Sequence, residues 1–120
     1  MLFRSTETPI CPERVLAALQ AALPADSIIV ADPGTPCPYV SGHFDFNSTG
    51  RRFITNRAQG ALGFALPASV GAWYGRPSAK VVALMGDGSF GFAVGELETI
   101  VRKNVPVSLI VFSNASYGWL

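Results

Sequence analysis

Three short apolar runs constrain this chain more than anything else in it. Residues 27–31 (SIIVA), 81–85 (VVALM) and 107–112 (VSLIVF) are rich in Ile and Val and carry no polar alternation. That pattern marks strands covered on both faces rather than strands with one wet side. Helical spacing fills the intervals between them. Val15, Leu16, Leu19 and Leu23 follow one another by one, three and four residues, opened by Pro12 and Glu13 and closed by Pro24. Leu62, Leu66, Val70 and Trp73 follow at four, four and three within residues 61–75, with Pro67 tolerable near a helix start. Residues 92–103 read as a third helix, with Glu98 and Arg102 paired four apart. A turn, residues 32–38 (DPGTPCP), follows the first of these strands directly, residues 40–52 read as loop and 53–55 as a short strand. Helix and strand alternating in this way predict an α/β fold of three layers, a parallel sheet with helices on both faces.

Length and charge remove several alternatives. The chain has 120 residues, enough for one core, and nine Lys and Arg balance eight Asp and Glu with no cluster of either sign. Phosphate backbones are held by clustered cations, so no nucleic acid is expected as a partner. Cys11 and Cys37 are the only cysteines and His43 the only histidine, which leaves no spacing for structural zinc or a disulfide framework. The N-terminus lacks the apolar stretch of a signal peptide, and residues 60–75 and 105–120 are each too short to span a bilayer. The expectation is a cytoplasmic protein without a membrane partner. The arrival of Leu120 directly after a strand, with no closing helix, reads as a domain incomplete at its C-terminus.

Sites in parallel sheets lie beyond the carboxyl ends of the strands. The turn after Met85 runs Gly86, Asp87, Gly88, Ser89, Phe90, Gly91, which has the G-x-G-x-x-G form of a dinucleotide loop. Asp87 conflicts with that form, because a carboxylate between the two glycines would face a pyrophosphate at contact distance. The end of the next strand carries Ser113 and Asn114 where a ribose-binding acid would stand. A divalent cation removes the conflict, since Mg²⁺ takes carboxylate and carbonyl oxygens together with substrate phosphates. Asn114 follows Asp87 by 27 residues, the length of one helix and one strand, so it can reach the same ion from a neighbouring strand. Ser89 can cap the following helix, and the free amides there point at an anion.

The segment GDGSFGFAVGELETIVRKNVPVSLIVFSNASYG resembles the thiamine diphosphate enzymes of the acetolactate synthase and pyruvate decarboxylase type, whose signature is GDG followed by a distant Asn. PICPERVLAALQAALPADSIIVADPGT and QGALGFALPASVGA are similar to earlier parts of the same family's cofactor-binding domain. The resemblance covers nearly the whole of residues 1–120. It implies Mg²⁺ held by Asp87, the Asn114 side chain and the Ser116 carbonyl. It implies diphosphate contacts at Gly34, Thr35, Gly88 and Ser89, at a cofactor site where Gly86 lets the backbone come close. The Gly60 carbonyl would accept a hydrogen bond from the aminopyrimidine, and Leu62 would wedge beneath the cofactor and keep it bent. The implied activity is decarboxylation of a 2-oxo acid or acetolactate-type carboligation. The glutamate that activates the cofactor comes in that family from a separate pyrimidine-binding domain, usually on a neighbouring subunit, so this chain would carry no catalytic residue of its own. A homo-oligomer, a dimer at least, is the implied working form.

Three departures bear on that reading. Ser113 replaces the first Asn of the common Asn-Asn pair, Pro36 and Pro38 stand where polar residues are frequent, and ITNRAQ before Gly60 puts Arg57 near a loop to which the resemblance assigns no role. Two other readings stay open on the residues alone. One is a non-catalytic folded module that needs a partner chain bearing the pyrimidine-binding domain. The other, more remote, is a Rossmann-type dinucleotide binder that uses GDGSFG without metal. His43, Arg51 and Arg52 read as solvated surface, and Tyr117 and Trp119 as lid or core for a missing element.

Overall fold

The computed structural model describes residues 7–118. Four strands form one sheet in the order β2-β1-β3-β4, all parallel: β1 (Ile28–Ala31), β2 (Phe53–Thr55), β3 (Val81–Gly86) and β4 (Ser108–Phe112). The two inner strands are uninterrupted apolar runs, and they are buried throughout except at Gly86. Alternate residues feed opposite faces. Ile28, Val30, Val81, Ala83 and Met85 point to one layer, and Ile29, Ala31, Val82 and Leu84 to the other.

Helices α1 (Pro12–Ala22) and α2 (Pro36–His43) cover the second face through Leu16 and Val40. Helices α3 (Ala65–Gly75), α4 (Asp87–Ala93) and α5 (Glu96–Arg102) cover the first through Ala65, Leu66, Phe90, Leu97 and Ile100. The result is the expected three-layer parallel α/β fold. No helix among the described residues is long and apolar enough to cross a membrane.

Four local expectations are corrected. Residues 36–43 form α2 instead of turn and loop. Pro36 and Pro38 lie in its first turn, where a missing N–H costs no intrahelical bond, and Pro36, Cys37 and Val40 are buried. The α3 helix begins at Ala65, not at residue 61, because Gly60 and Gly63 hold left-handed φ angles of +68° and +84°. The third helical stretch starts earlier, at Asp87, and breaks into two at Val94 and Gly95. Arg52 is buried and donates from Nη1 to the Asp26 carbonyl at 2.8 Å, whereas Arg51 is exposed and His43 ends α2 with its ring stacked on Tyr39.

The end of α5 shows how the chain is turned back into the sheet. Asn104 takes φ +51°, its N–H donates to the Val101 carbonyl at 3.1 Å, and that of Val105 donates to Ile100 at 3.0 Å. This paired closure satisfies two end carbonyls and aims the chain at β4. On the outer face of α5, Arg102 Nε donates to Glu98 Oε1 at 2.7 Å, with both side chains more than half exposed. Solvent screens such a pair, so Glu98→Gln should leave the free energy of unfolding nearly unchanged. A denaturation curve in low and high salt checks this, and the difference should shrink as salt is added.

Candidate functional site

The sheet topology opens one crevice. After β1 the chain crosses on the second face to β2, on one side of β1, and the later strands β3 and β4 are laid on the other side by helices of the first face. The connections leaving β1 and β3 therefore diverge, and a hollow forms between their carboxyl ends. Because every strand is parallel, the segments after β1 (32–35), β2 (56–64), β3 (from Gly86) and β4 (113–118) all gather at this end. The ten residues singled out from the sequence lie on these four segments.

Asp87 is the best-connected of them. It opens α4 directly after Gly86, whose φ of −79° and ψ of 163° are still extended. Its Oδ1 accepts the Gly88 N–H at 2.9 Å; its Oδ2 accepts the Ala115 N–H at 2.7 Å and the Ser113 hydroxyl at 3.3 Å. The Ala115 amide first, and the Gly88 amide after it, hold the carboxyl below the usual aspartate range, because each bond favours the charged form. The loop after β4 thus wraps onto Asp87. Ala115 makes the wrap with φ +52°, an unusual value for alanine. Asn114 sits inside that wrap, its Oδ1 accepting the Ser116 N–H at 3.1 Å, and Ser116 is exposed beside it.

This donor set suits a hard cation. A carboxylate, a side-chain amide oxygen and a backbone carbonyl are the oxygen types that Mg²⁺ selects. A carboxylate has about four lone-pair positions, and Asp87 Oδ1 spends only one of its two on Gly88. The oxygens of Asp87 and Asn114 are tied to amides of one short loop, so residues far apart in sequence already stand side by side. Gly88 contributes in a different way: the Tyr117 ring occupies the space that a Cβ there would take, so a side chain at this position would push the ring aside. Tyr117, 58% exposed, lies across the start of α4 as a cover.

The other half of the site is built on turns. Gly34, with φ +94°, makes the bend between β1 and α2, and Thr35 follows it at the helix start. Asn56 closes the segment after β2, with its carbonyl accepting the Gln59 and Gly60 amides at 3.0 Å each and its Nδ2 donating to the Ala61 carbonyl at 2.9 Å. Gly60 is exposed and Leu62 half-buried. Arg57 is exposed in the same segment.

Ser89 departs from its expected part in the structure. It does not cap α4; it is buried one turn inside, at 4% exposure, with its hydroxyl donating to Asp32 Oδ2 at 2.6 Å and accepting the Gly63 N–H at 3.1 Å. Asp32 itself escaped sequence reasoning. It is wholly buried at the end of β1, and its Oδ1 accepts the Ala65 N–H at 2.8 Å. The signal for it was an acid abutting a strand covered on both faces; followed by Pro33 and Gly34, it was read as part of a turn.

Comparison with known proteins agrees with this geometry. Residues 32–120 match the family described as thiamine pyrophosphate enzyme, C-terminal TPP binding domain. A sulfoacetaldehyde acetyltransferase of Roseovarius nubinhibens is 41% identical over 108 residues, covering 89% of this chain and 18% of that protein. The acetolactate synthase isozyme 2 large subunit of Escherichia coli K12 is 36% identical over 104 residues, covering 87% and 19%. Among solved structures, the benzoylformate decarboxylase of Polynucleobacter necessarius aligns with a TM-score of 0.86 at 32% identity, over 98% of this chain and 23% of that one. The thiamine diphosphate-dependent 4-hydroxybenzoylformate decarboxylase of Rhodococcus jostii RHA1 aligns at 0.85 and 30%, over 96% and 21%. The chain spans about a fifth of the length of the relatives it matches.

Proposed function

Because the chain belongs to the thiamine pyrophosphate enzyme family, through that family's C-terminal TPP binding domain, we propose that residues 1–120 are the Mg²⁺ and diphosphate clamp of a 2-oxo acid decarboxylase or acetolactate synthase-like carboligase. The observation that carries this reading is the hydrogen-bonded junction of Asp87 with the loop of Ser113, Asn114 and Ala115. Asp87, the Asn114 side chain and the Ser116 carbonyl would hold the metal. Gly34, Thr35, Gly86, Gly88 and Ser89 would face the diphosphate, Ser89 by its backbone N–H, since its hydroxyl is already engaged. The Gly60 carbonyl would take the aminopyrimidine, and half-buried Leu62 would support the bend.

When bound, thiamine diphosphate supplies the electron sink for breaking or making a carbon–carbon bond beside an oxo group. This chain's part is to bind and orient. Proton movement on the aminopyrimidine falls to a glutamate of a pyrimidine-binding domain, in the remainder of the protein or on a partner subunit. The working form is then a cytoplasmic homo-oligomer with sites between subunits.

Calorimetric titration of thiamine diphosphate into the chain tests the clamp. Saturable uptake with Mg²⁺, abolished by EDTA, is the expected result. Uptake unchanged by EDTA would turn the assignment toward a metal-independent nucleotide site. No uptake by a folded chain would leave the partner-dependent module as the reading.

A further inference from the structure

Asp32 is a buried acid that the clamp described above does not use. Its exposure is 0%, and neither ion pair among the described residues, Arg76–Asp26 or Arg102–Glu98, involves it. A carboxylate taken out of water is tolerated when its oxygens are hydrogen-bonded, and here both are. Oδ1 accepts the Ala65 N–H at 2.8 Å and Oδ2 the Ser89 hydroxyl at 2.6 Å. The direction of the second bond is fixed by a third. The Gly63 amide can only donate, so Ser89 Oγ accepts from it at 3.1 Å and gives its own hydrogen to Asp32. At 2.6 Å the bond to Asp32 is at the short end of the range for a hydroxyl donor. The backbone of Asp32 is itself anchored in the ladder, its N–H donating to the Leu84 carbonyl at 3.0 Å.

The ends of this relay explain its use. Gly63 follows Leu62 directly and ends the turn that carries Gly60, the residues proposed for the aminopyrimidine half of the cofactor. Ser89 follows Gly88 and Asp87, proposed for the diphosphate half. Those two halves rise from β2 and β3, strands that are not neighbours but flank β1, where Asp32 sits. The contact is close as well as bonded: a Cβ built on Gly63 would stand 3.1 Å from Phe92 Cβ and 3.4 Å from Ala93 Cβ on α4.

We infer that Asp32, acting through Ser89, is a positioning residue that fixes the spacing between the Gly60–Gly63 turn and the start of α4. The inference rests on the thiamine diphosphate reading, because only a ligand that spans both halves senses their separation. A purely structural Asp32 would, when replaced, lower stability and affect long and short ligands alike. A positioning role separates them.

The test uses the full chain, its Ser89→Ala and Asp32→Asn variants and the double variant. Ser89→Ala removes one hydroxyl and adds no volume. Asp32→Asn keeps an oxygen for Ala65 but turns an amide toward Ser89. Two probes are titrated with Mg²⁺ by calorimetry: thiamine diphosphate, which spans both halves, and inorganic pyrophosphate, which occupies one. Exchange of the Gly63 and Ala65 amide hydrogens is followed by NMR.

Each single variant should weaken thiamine diphosphate about tenfold or more, the cost of misplacing oriented groups, and leave pyrophosphate within about twofold. The double variant should be no weaker than the weaker single one, since both cut the same relay. Gly63 exchange should quicken in both variants, and that of Ala65 should stay slow in Ser89→Ala. Equal losses for the two probes, additive losses in the double variant, or unchanged thiamine diphosphate affinity would overturn the role. Should Asp32→Asn fail to fold, Ser89→Ala alone decides by the same ratio. A folded wild-type chain that takes up neither probe defeats the clamp reading in favour of the partner-dependent module, and the positioning role with it; variants that bind as well as a binding wild type defeat the positioning role only.

Discussion

Asp87→Ala is expected to weaken the Mg²⁺-dependent uptake of thiamine diphosphate by at least about a hundredfold, the scale set by loss of a metal-site residue. Among the described residues the segments beyond the strand ends carry two acids, Asp32 and Asp87, and Asp32 is sealed in the interior. Asp87 alone can therefore present an anionic oxygen to a cation there. Alanine would also free the Ala115 and Gly88 amides, so the loop holding Asn114 would lose its tie to α4. Asp87→Asn separates the two effects, because it keeps an acceptor for the loop but not the charge. The asparagine variant should bind as poorly as alanine if the metal matters and near wild type if only the tie does.

Protonation offers an independent check on the same residue. Its carboxyl is held below the usual range by the Ala115 and Gly88 amides, so its folded value lies beneath the unfolded one. The tie is thus fully present above the ordinary aspartate value of about 4 and is lost only as pH falls through the lowered one. Affinity for Mg²⁺ and thiamine diphosphate should accordingly be flat with respect to Asp87 from neutral pH down to about 5. A decline near pH 6 beyond the one that protonation of the diphosphate itself produces would move the metal to some other ligand.

Most of the architecture could be read because burial on both faces leaves a plain mark. Runs such as VVALM admit few placements besides the middle of a parallel sheet, and the helical spacings around them fix the crossovers. Helix α2 was not legible for the opposite reason. Its residues, PCPYVSGH, have no apolar period, and the prolines that look like turn residues are its first-turn residues. The break between α4 and α5 falls at Val94 and Gly95, both exposed, within a stretch that reads as one continuous helix. At the site, the partnership of Asp87 with the segment after β4 was legible in spacing. The burial of Arg52 and the relay from Asp32 were not, since each depends on a neighbour 26 or more residues away. A buried acid in a D-P-G sequence and a surface turn in the same sequence look alike until the tertiary partners are known.

The largest stability loss should come from Gly63→Val. Gly63 holds φ +84°, a region that costs a β-branched residue roughly 1–3 kcal/mol. Its new Cβ would also meet Phe92 Cβ at 3.1 Å and Ala93 Cβ at 3.4 Å. Those atoms are fixed to the α4 backbone and cannot swing aside, so α4 or the turn must move. Overpacking of that kind adds about 1–3 kcal/mol, and the combined loss, roughly 3–5 kcal/mol, is a large part of the 5–15 kcal/mol that holds a typical domain. Gly60→Val is the matched control. It has a similar φ of +68° but open space around its Cβ, so only the conformational cost of about 1–2 kcal/mol applies. Urea unfolding of both variants measures the difference directly. A gap of about 2 kcal/mol or more would show that the turn is pressed against α4, the arrangement that the relay through Ser89 requires. Equal losses would mean that the turn stands clear of the helix and that backbone strain alone sets the cost at both glycines.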